Sequence, residues 1–207
     1  MKKRLFIVGC GGHGKVIADI AIKMKKYNEI YFLDDNSLIR KWQNILVLGD
    51  STFHDFVEDD EIIIGIGNSK TREKLQKKYS NYGIKIATLI HPSAIIGTNV
   101  VIKEGTVIMA GAVINSDTII NEGCIINTGA TIDHDNLIEA FSHISVGAHL
   151  AGTIKVGRHT WIGIGAIVRN NIEICAECFI GAGAVVVKNI NKKGVYIGVP
   201  AKRKEEK

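Results

Sequence analysis

From Ile96 to Val186 an aliphatic residue recurs at every sixth position without an insertion. The series runs Ile96, Ile102, Ile108, Ile114, Ile120, Ile126, Ile132, Ile138, Ile144, Leu150, Val156, Ile162, Val168, Ile174, Ile180 and Val186, sixteen hexads in all. No other property of the chain restricts its fold so tightly. An α-helix would repeat its apolar positions at about 3.6 and a half-buried strand at about 2. A period of six fits neither. It fits a solenoid of short flat strands and tight turns, with one aliphatic side chain pointing inward per side. Four residues after the aliphatic the side chain is small or compact at Thr106, Ala112, Thr118, Cys124, Ala130, Ser142, Ala148, Thr160, Ala166, Cys178 and Ala184, as a corner requires. Val100, Asn136, Ile154, Ile172 and Ile190 depart from that rule.

The first 90 residues follow a different grammar. The apolar run Leu5 to Val8 leads into Gly9-Cys10-Gly11-Gly12-His13-Gly14 and then a helical pattern from about Val16 to Lys26. Further strands are expected over 30–33, ending at Asp34-Asp35, and over 62–66, ending at Gly67-Asn68. A lysine-rich helix over 71–82 and an apolar segment over 84–90 follow. Strand and helix in alternation imply a small Rossmann-like α/β domain with a parallel sheet. His91-Pro92 marks the junction, because the residue before proline is pushed toward extended geometry. The expected domains are therefore 1–90 and 91–207.

The glycine turn satisfies the Gly-x-Gly-x-x-Gly dinucleotide pattern, with Asp34 and Asp35 about 20 residues on. A nicotinamide oxidoreductase is disfavoured, since an α/β part of about 90 residues lacks the second mononucleotide-binding half. The same turn suits a nucleotide diphosphate, whose charge is favoured by amides at a helix N-terminus. Gly11-Gly12-His13, Asp34-Asp35 and Gly67-Asn68 would converge at one edge of the sheet, where this fold class binds ligands.

Composition removes other classes. The net charge of +5 lies largely in short Lys/Arg clusters, which argues for local phosphate recognition rather than nucleic-acid binding. No segment approaches membrane-spanning length, and the basic start Met1-Lys2-Lys3-Arg4 precedes too short an apolar run for a signal peptide. Four scattered cysteines fit a reducing cytoplasm, and Cys175 and Cys178 fall on the hexad grid as packing residues, so no metal is expected.

The hexads resemble those of the hexapeptide-repeat acyltransferases. That resemblance implies a left-handed parallel β-helix of 18-residue coils, slightly more than five of them here. With Gly9 to Gly14, Leu33-Asp34-Asp35, Gly65-Ile66-Gly67-Asn68, His91-Pro92, the His134 and His143 region and Gly198-Val199-Pro200-Ala201-Lys202, the chain resembles bacterial sugar acetyltransferases. These include sialic acid O-acetyltransferases and N-acetyltransferases of nucleotide-linked 4-amino sugars. The resemblance implies acetyl-CoA as co-substrate, and a homotrimer with active sites between subunits. It places Gly11, Gly12, His13, Asp34, Asp35 and Gly67 around the nucleotide sugar. It makes His134 the general base; the adjacent Asp135 could orient the ring, as could Asp133 or a residue of another subunit. It assigns acetyl-CoA contacts to His143, Gly152, Ile164 and Ala182, the last where relatives carry glycine. Counting in eighteens stacks Gly152 over His134, and Ala182 over Ile164 and Val146.

Acetyl transfer needs a base, a donor for the developing oxyanion and a groove for the pantetheine arm. The expected reaction is N-acetylation of a UDP-linked 4-amino-4,6-dideoxy sugar. Sialic acid O-acetylation by the same machinery and a non-catalytic nucleotide-sugar-binding protein are the alternatives.

Overall fold

The computed structural model describes residues 3–205; Met1 and Lys2 of the basic start lie outside them, as do Glu206 and Lys207. The chain divides into two compact units, one ending at Pro92 and the other beginning at Ser93.

In the first unit, strand β1 (Arg4–Val8) is followed by helix α1 (Gly12–Met24) and strand β2 (Glu29–Leu33). Then come β3 (Lys41–Trp42), β4 (Ile45–Gly49), β5 (Glu61–Ile64), α2 (Ser69–Asn81), β6 (Lys85–Ile86) and β7 (Leu89–Ile90). The sheet order is β3-β4-β2-β1-β5-β6, parallel except for the antiparallel β3–β4 pair. β1 is central, so Leu5, Phe6 and Ile7 are fully buried and the strand reads as one apolar run.

Helix α1 begins four residues before the expected Val16, because Gly11 serves as its N-cap and Gly12-His13-Gly14 form its first turn. It stops where Lys25 turns left-handed (φ 52°) and its amide bonds back to Ile22 O. Helix α2 likewise starts early, on Asn68, whose side chain accepts from the Thr71 amide at 3.0 Å. The hairpin β3–β4 was not expected: its first strand is two residues long, and its second shows only an alternating pattern.

The second unit is the β-helix that the hexads imply. Each of the sixteen aliphatic positions closes a short strand, from Ile95–Ile96 to Val185–Val186. Strands eighteen residues apart pair in parallel register, Ile126 with Ile144 and Ile132 with Leu150 among them, which builds three flat faces. From Ile108 onward every aliphatic of the series is buried, and the residue before it is exposed or half-buried except at Val107 and Ile125, which are buried as well. Pleating alone explains that alternation. The small residues four positions on are buried at the corners, Ala112, Cys124, Ala130 and Ala148 among them. The last coil continues into Gly194–Ile197, parallel to Cys178–Ile180, and a short antiparallel return through Lys202–Arg203.

Each corner holds one left-handed residue, and these too stack at intervals of eighteen. One column is all glycine, Gly111, Gly129, Gly147, Gly165 and Gly183. Another consists of Asn99, Asp117, Asp135, Thr153 and Asn171, with φ between 57° and 60°. Asn and Asp are the non-glycine residues that best tolerate this region.

Because the inward side chains of successive coils pack only on one another, a hole in one coil has little means to collapse. Ile144→Ala, at a fully buried position, should cost about 2 to 5 kcal/mol, read as a lowered guanidinium midpoint with an unchanged slope.

Candidate active site

His134 stands in the corner after strand Thr131–Ile132, half exposed, with Nδ1 2.7 Å from Asp135 Oδ2. A neutral imidazole that donates from Nδ1 to a carboxylate presents Nε2 as its acceptor. The left-handed backbone of Asp135 (φ 57°) is what turns the following acid back onto the ring. Asp133 holds the other side: its Oδ1 accepts from the His134 amide at 2.9 Å and from Asn115 Nδ2 at 2.8 Å. The hydrogen bond to Asp135, and then the charges of Asp133, Asp135 and Asp117, raise the His134 pKa above its ordinary 6.5. The imidazole is thus a stronger base than a solvated histidine.

One coil on, Gly152 borders His134 Nε2. A Cβ there would lie 2.5 Å from His134 Nε2, so any side chain would displace the ring. The two coils are joined at this point by the Thr153 amide, which donates to His134 O at 2.9 Å. Counting in eighteens therefore brings Gly152 to the His134 ring itself.

His143 lies on a different face, in strand His143–Ile144. Asn127 Nδ2 lies 3.0 Å from its Nε2, and Trp161, one coil on, stacks on the ring at 4.8 Å and 29°. Trp161 is held in turn by its indole N–H, which donates to Ser145 Oγ at 2.5 Å. Asn127 and Trp161 were not singled out in the sequence; the signal for Trp161 was its place eighteen residues beyond His143. Val146, Ile164 and Ala182 stack at the corner after this face, linked by Gly165 N to Val146 O and Gly183 N to Ile164 O. They run beside the all-glycine column, where the missing side chains leave open space. This edge is smooth and partly apolar, with Ile164 61% exposed. Along one chain it is separated from the His134 corner by a whole face of the β-helix.

In the α/β unit, the ends of β1, β2 and β5 carry the three expected segments. Gly14 and Gly65 are packed backbone to backbone, where a side chain would collide with Gly9 O at the first and with Gly14 Cα and Val8 O at the second, while Gly9 is left-handed (φ 99°) and packed against the Ile66 side chain. Gly11, Gly12 and Gly67 differ: nothing lies within 4 Å of where their Cβ would be. The fold does not need glycine there for packing, and space is left for a ligand at the N-terminus of α1. His13, in the first turn of α1, is half-buried; desolvation first, and the nearby Arg72 second, bring its pKa down to about 4. It is neutral at pH 7, and among the described residues its Nε2 is buried with no protein partner. The buried Arg72 donates to the carbonyls of Ile66 and Gly67 at 3.0 and 2.8 Å and so shapes that strand end.

Asp34 is more a buttress than a free acceptor: Oδ2 accepts from the Cys10 amide at 2.6 Å and Oδ1 from the Asn36 amide at 2.9 Å. Asp35 Oδ1 takes the Ser51 amide at 2.7 Å. Both line a cleft of about 220 Å³ with Arg40 and Asp50. A larger hollow of about 530 Å³ lies at the opposite ends of the strands, beside Tyr27, Glu29 and Asn44, away from the glycine turn. Among the described residues no group of three or more His, Cys, Asp or Glu side chains could hold a metal ion. No helix among them is long and apolar enough to cross a membrane.

Asp135→Asn should lower the His134 pKa toward 6.5, since the largest raising influence is its hydrogen bond to this carboxylate. Gly152→Ala should move the imidazole while sparing the fold. Histidine-ring NMR titration reads both, and an unchanged His134 signal in either variant would count against the geometry.

The comparisons bear on this arrangement from outside. The PglD N-terminal domain family matches residues 4–79, and the bacterial transferase hexapeptide family (six repeats) matches 99–134 and 153–188. The UDP-N-acetylbacillosamine N-acetyltransferase of Bacillus subtilis (strain 168) is 37% identical over 104 residues. That match covers 48% of each chain, so it spans about half the length of this curated relative. The acetyltransferase domain of PglB from Neisseria gonorrhoeae FA1090, solved in complex with acetyl coenzyme A, is 36% identical with a TM-score of 0.94. The comparison covers 98% of this chain and 100% of that one. PerB from Caulobacter crescentus, solved in complex with CoA and GDP-perosamine, is 33% identical with a TM-score of 0.90 over 97% of each chain. With a β-helix joined to this α/β unit, and with relatives matched over nearly its whole length, the chain belongs to the PglD-type family of hexapeptide-repeat sugar N-acetyltransferases.

Proposed function

We propose that this chain transfers the acetyl group of acetyl-CoA to the 4-amino group of a nucleotide-linked amino-dideoxy sugar, UDP-linked, for bacterial glycan assembly in the cytoplasm. The observation that carries the reading is the His134–Asp135 pair with Gly152 at its Nε2 edge, a polarised base beside a bare backbone. His134 Nε2 accepts a proton from the unprotonated sugar amine as its nitrogen attacks the thioester carbonyl. A C–N bond forms, the C–S bond breaks, and the proton passes from His134 to the departing thiolate. The amide of Gly152 is placed to meet the developing oxyanion.

His143, Ile164 and Ala182 take the acetyl-CoA, the pantetheine lying along the glycine-lined corner. Gly11, Gly12, His13, Asp35 and Gly67 receive the nucleotide, with Asp34 holding the turn that binds it. His13, being neutral, offers a hydrogen bond without adding charge. Because the His134 corner and the coenzyme edge are separated on one chain, a homotrimer that pairs one subunit's base with its neighbour's groove completes the site. The relatives whose printed names include UDP-N-acetylbacillosamine and GDP-perosamine support a nucleotide amino sugar as acceptor.

Release of free CoA, followed with a thiol reagent over UDP-amino sugars, dTDP- and GDP-amino sugars and sialic acids, tests the acceptor directly. Turnover with sialic acid alone would replace N- by O-acetylation, and none with any acceptor would leave a binding protein. His134→Ala should lower turnover by about 100-fold or more, and near-normal turnover would remove the assignment. The base must be unprotonated, so kcat/KM should fall on acidification through a pKa above 6.5, with that limb moving to lower pH in Asp135→Asn. Sedimentation showing an active monomer would sink the shared site.

A further inference from the structure

Asn136 breaks the rule that its position in each hexad holds a small residue, and the structure shows what the larger side chain does. Where that position carries a hydroxyl or thiol, the group donates to the carbonyl fifteen residues ahead, except at Cys178 in the last coil, whose thiol reaches Lys192 O at 3.7 Å. Thr106 reaches Asn121 O at 2.9 Å, Thr118 reaches Asp133 O at 2.9 Å, and Cys124 reaches Glu139 O at 3.3 Å. Ser142 bonds to Gly157 O and Thr160 to Cys175 O, both at 3.0 Å. This is the ordinary stitch between coils.

Asn136 makes the same stitch, Nδ2 to Ala151 O at 3.0 Å, and then exceeds it. Nδ2 also reaches Asp133 O at 2.6 Å and His134 O at 3.2 Å, so its two N–H groups are shared among three carbonyls. Oδ1 meanwhile accepts from the Ile154 amide at 2.9 Å, as the hydroxyls of Thr106, Thr118 and Thr160 accept from the amides of Cys124, Asn136 and Cys178, so this bond belongs to the ordinary stitch. The side chain is 2% exposed, so these bonds have little competition from water. The carbonyls of Asp133 and His134 belong to the two peptide planes that flank His134. The Ala151 carbonyl belongs to the peptide that leads into Gly152.

We propose that Asn136 is a positioning residue for acetyl transfer: it clamps both peptide planes around His134 and ties them to the coil of Gly152, fixing where Nε2 sits. The proposal rests on His134 being the base. A residue needed only for the fold would be served by the threonine found at this position elsewhere. The additional bonds all converge on the one corner that carries the base.

Asn136→Thr separates the two roles, because threonine can keep the stitch to Ala151 O but cannot reach the carbonyls of Asp133 and His134. The expected outcome is a protein that melts close to the parent, binds both substrates with unchanged KM, and loses about 10- to 100-fold in kcat. In ligand-free protein the His134 ring signals should shift or broaden, and its titration, set by Asp135, Asp133 and Asp117, should change. Asn136→Ala, without the stitch, should lose stability as well.

Parental kcat and unchanged His134 signals in Asn136→Thr would overturn the proposal. So would unfolding of both Asn136→Thr and Asn136→Ser, which would make the residue structural. A parent protein that turns over no acceptor would defeat the transferase reading alone, and the ring signals would still judge the clamp.

Discussion

Everything in the larger unit depends on parallel pairing between residues eighteen apart. Each strand contributes only two or three residues, too few to stand alone. It is held because the strands eighteen before and after it offer the same pattern of amides and carbonyls. The inward aliphatics stack in the same register, each contributing about 1.5 to 3 kcal/mol of burial. One insertion carried through the register would move the aliphatics off the inward position and the left-handed residues off the corners for the rest of the series. The absence of any insertion over sixteen hexads is therefore a condition of the fold. It also makes the structure a ruler: whatever lies eighteen residues away is the neighbour along the axis.

The candidate site uses that ruler. His134 and Gly152 are neighbours by count, and so are His143 and Trp161, or Val146, Ile164 and Ala182. The histidines nevertheless sit in opposite environments. His134 is open to solvent and surrounded by carboxylates, so its charged form is favoured and it is basic. His13 is enclosed beside a guanidinium, so its charged form is disfavoured and it stays neutral. One fold thus supplies a proton acceptor and an uncharged hydrogen-bonding group from the same residue type.

The β-helix, the strand–glycine turn–helix of the first unit and the His134–Gly152 stack were legible because each follows from spacing. Bonds that run sideways into backbone carbonyls were not. Asn136 was visible only as an exception to the small-residue rule, and nothing in its identity says which carbonyls it meets. Asp34 read as a ligand acceptor, yet its oxygens are engaged by the Cys10 and Asn36 amides, a result of how the turn closes. The early starts of both helices have a similar origin: a glycine N-cap leaves no side-chain signal, and the polar Asn68 reads as the end of a strand. Hairpin β3–β4 is stabilised by joining the edge of an existing sheet, an effect beyond its own few residues.

The left-handed corner at Asp135 restricts shape more than chemistry. That position must accept a positive φ, which asparagine does as well as aspartate, and another column of corners holds Phe141, His159 and Glu177 in the same conformation, so the backbone alone does not choose a carboxylate there. Neutralising the acid costs the fold little. On the role proposed for Asp135, a chain with asparagine there would be intact but slow. Stability selection alone would not notice the loss.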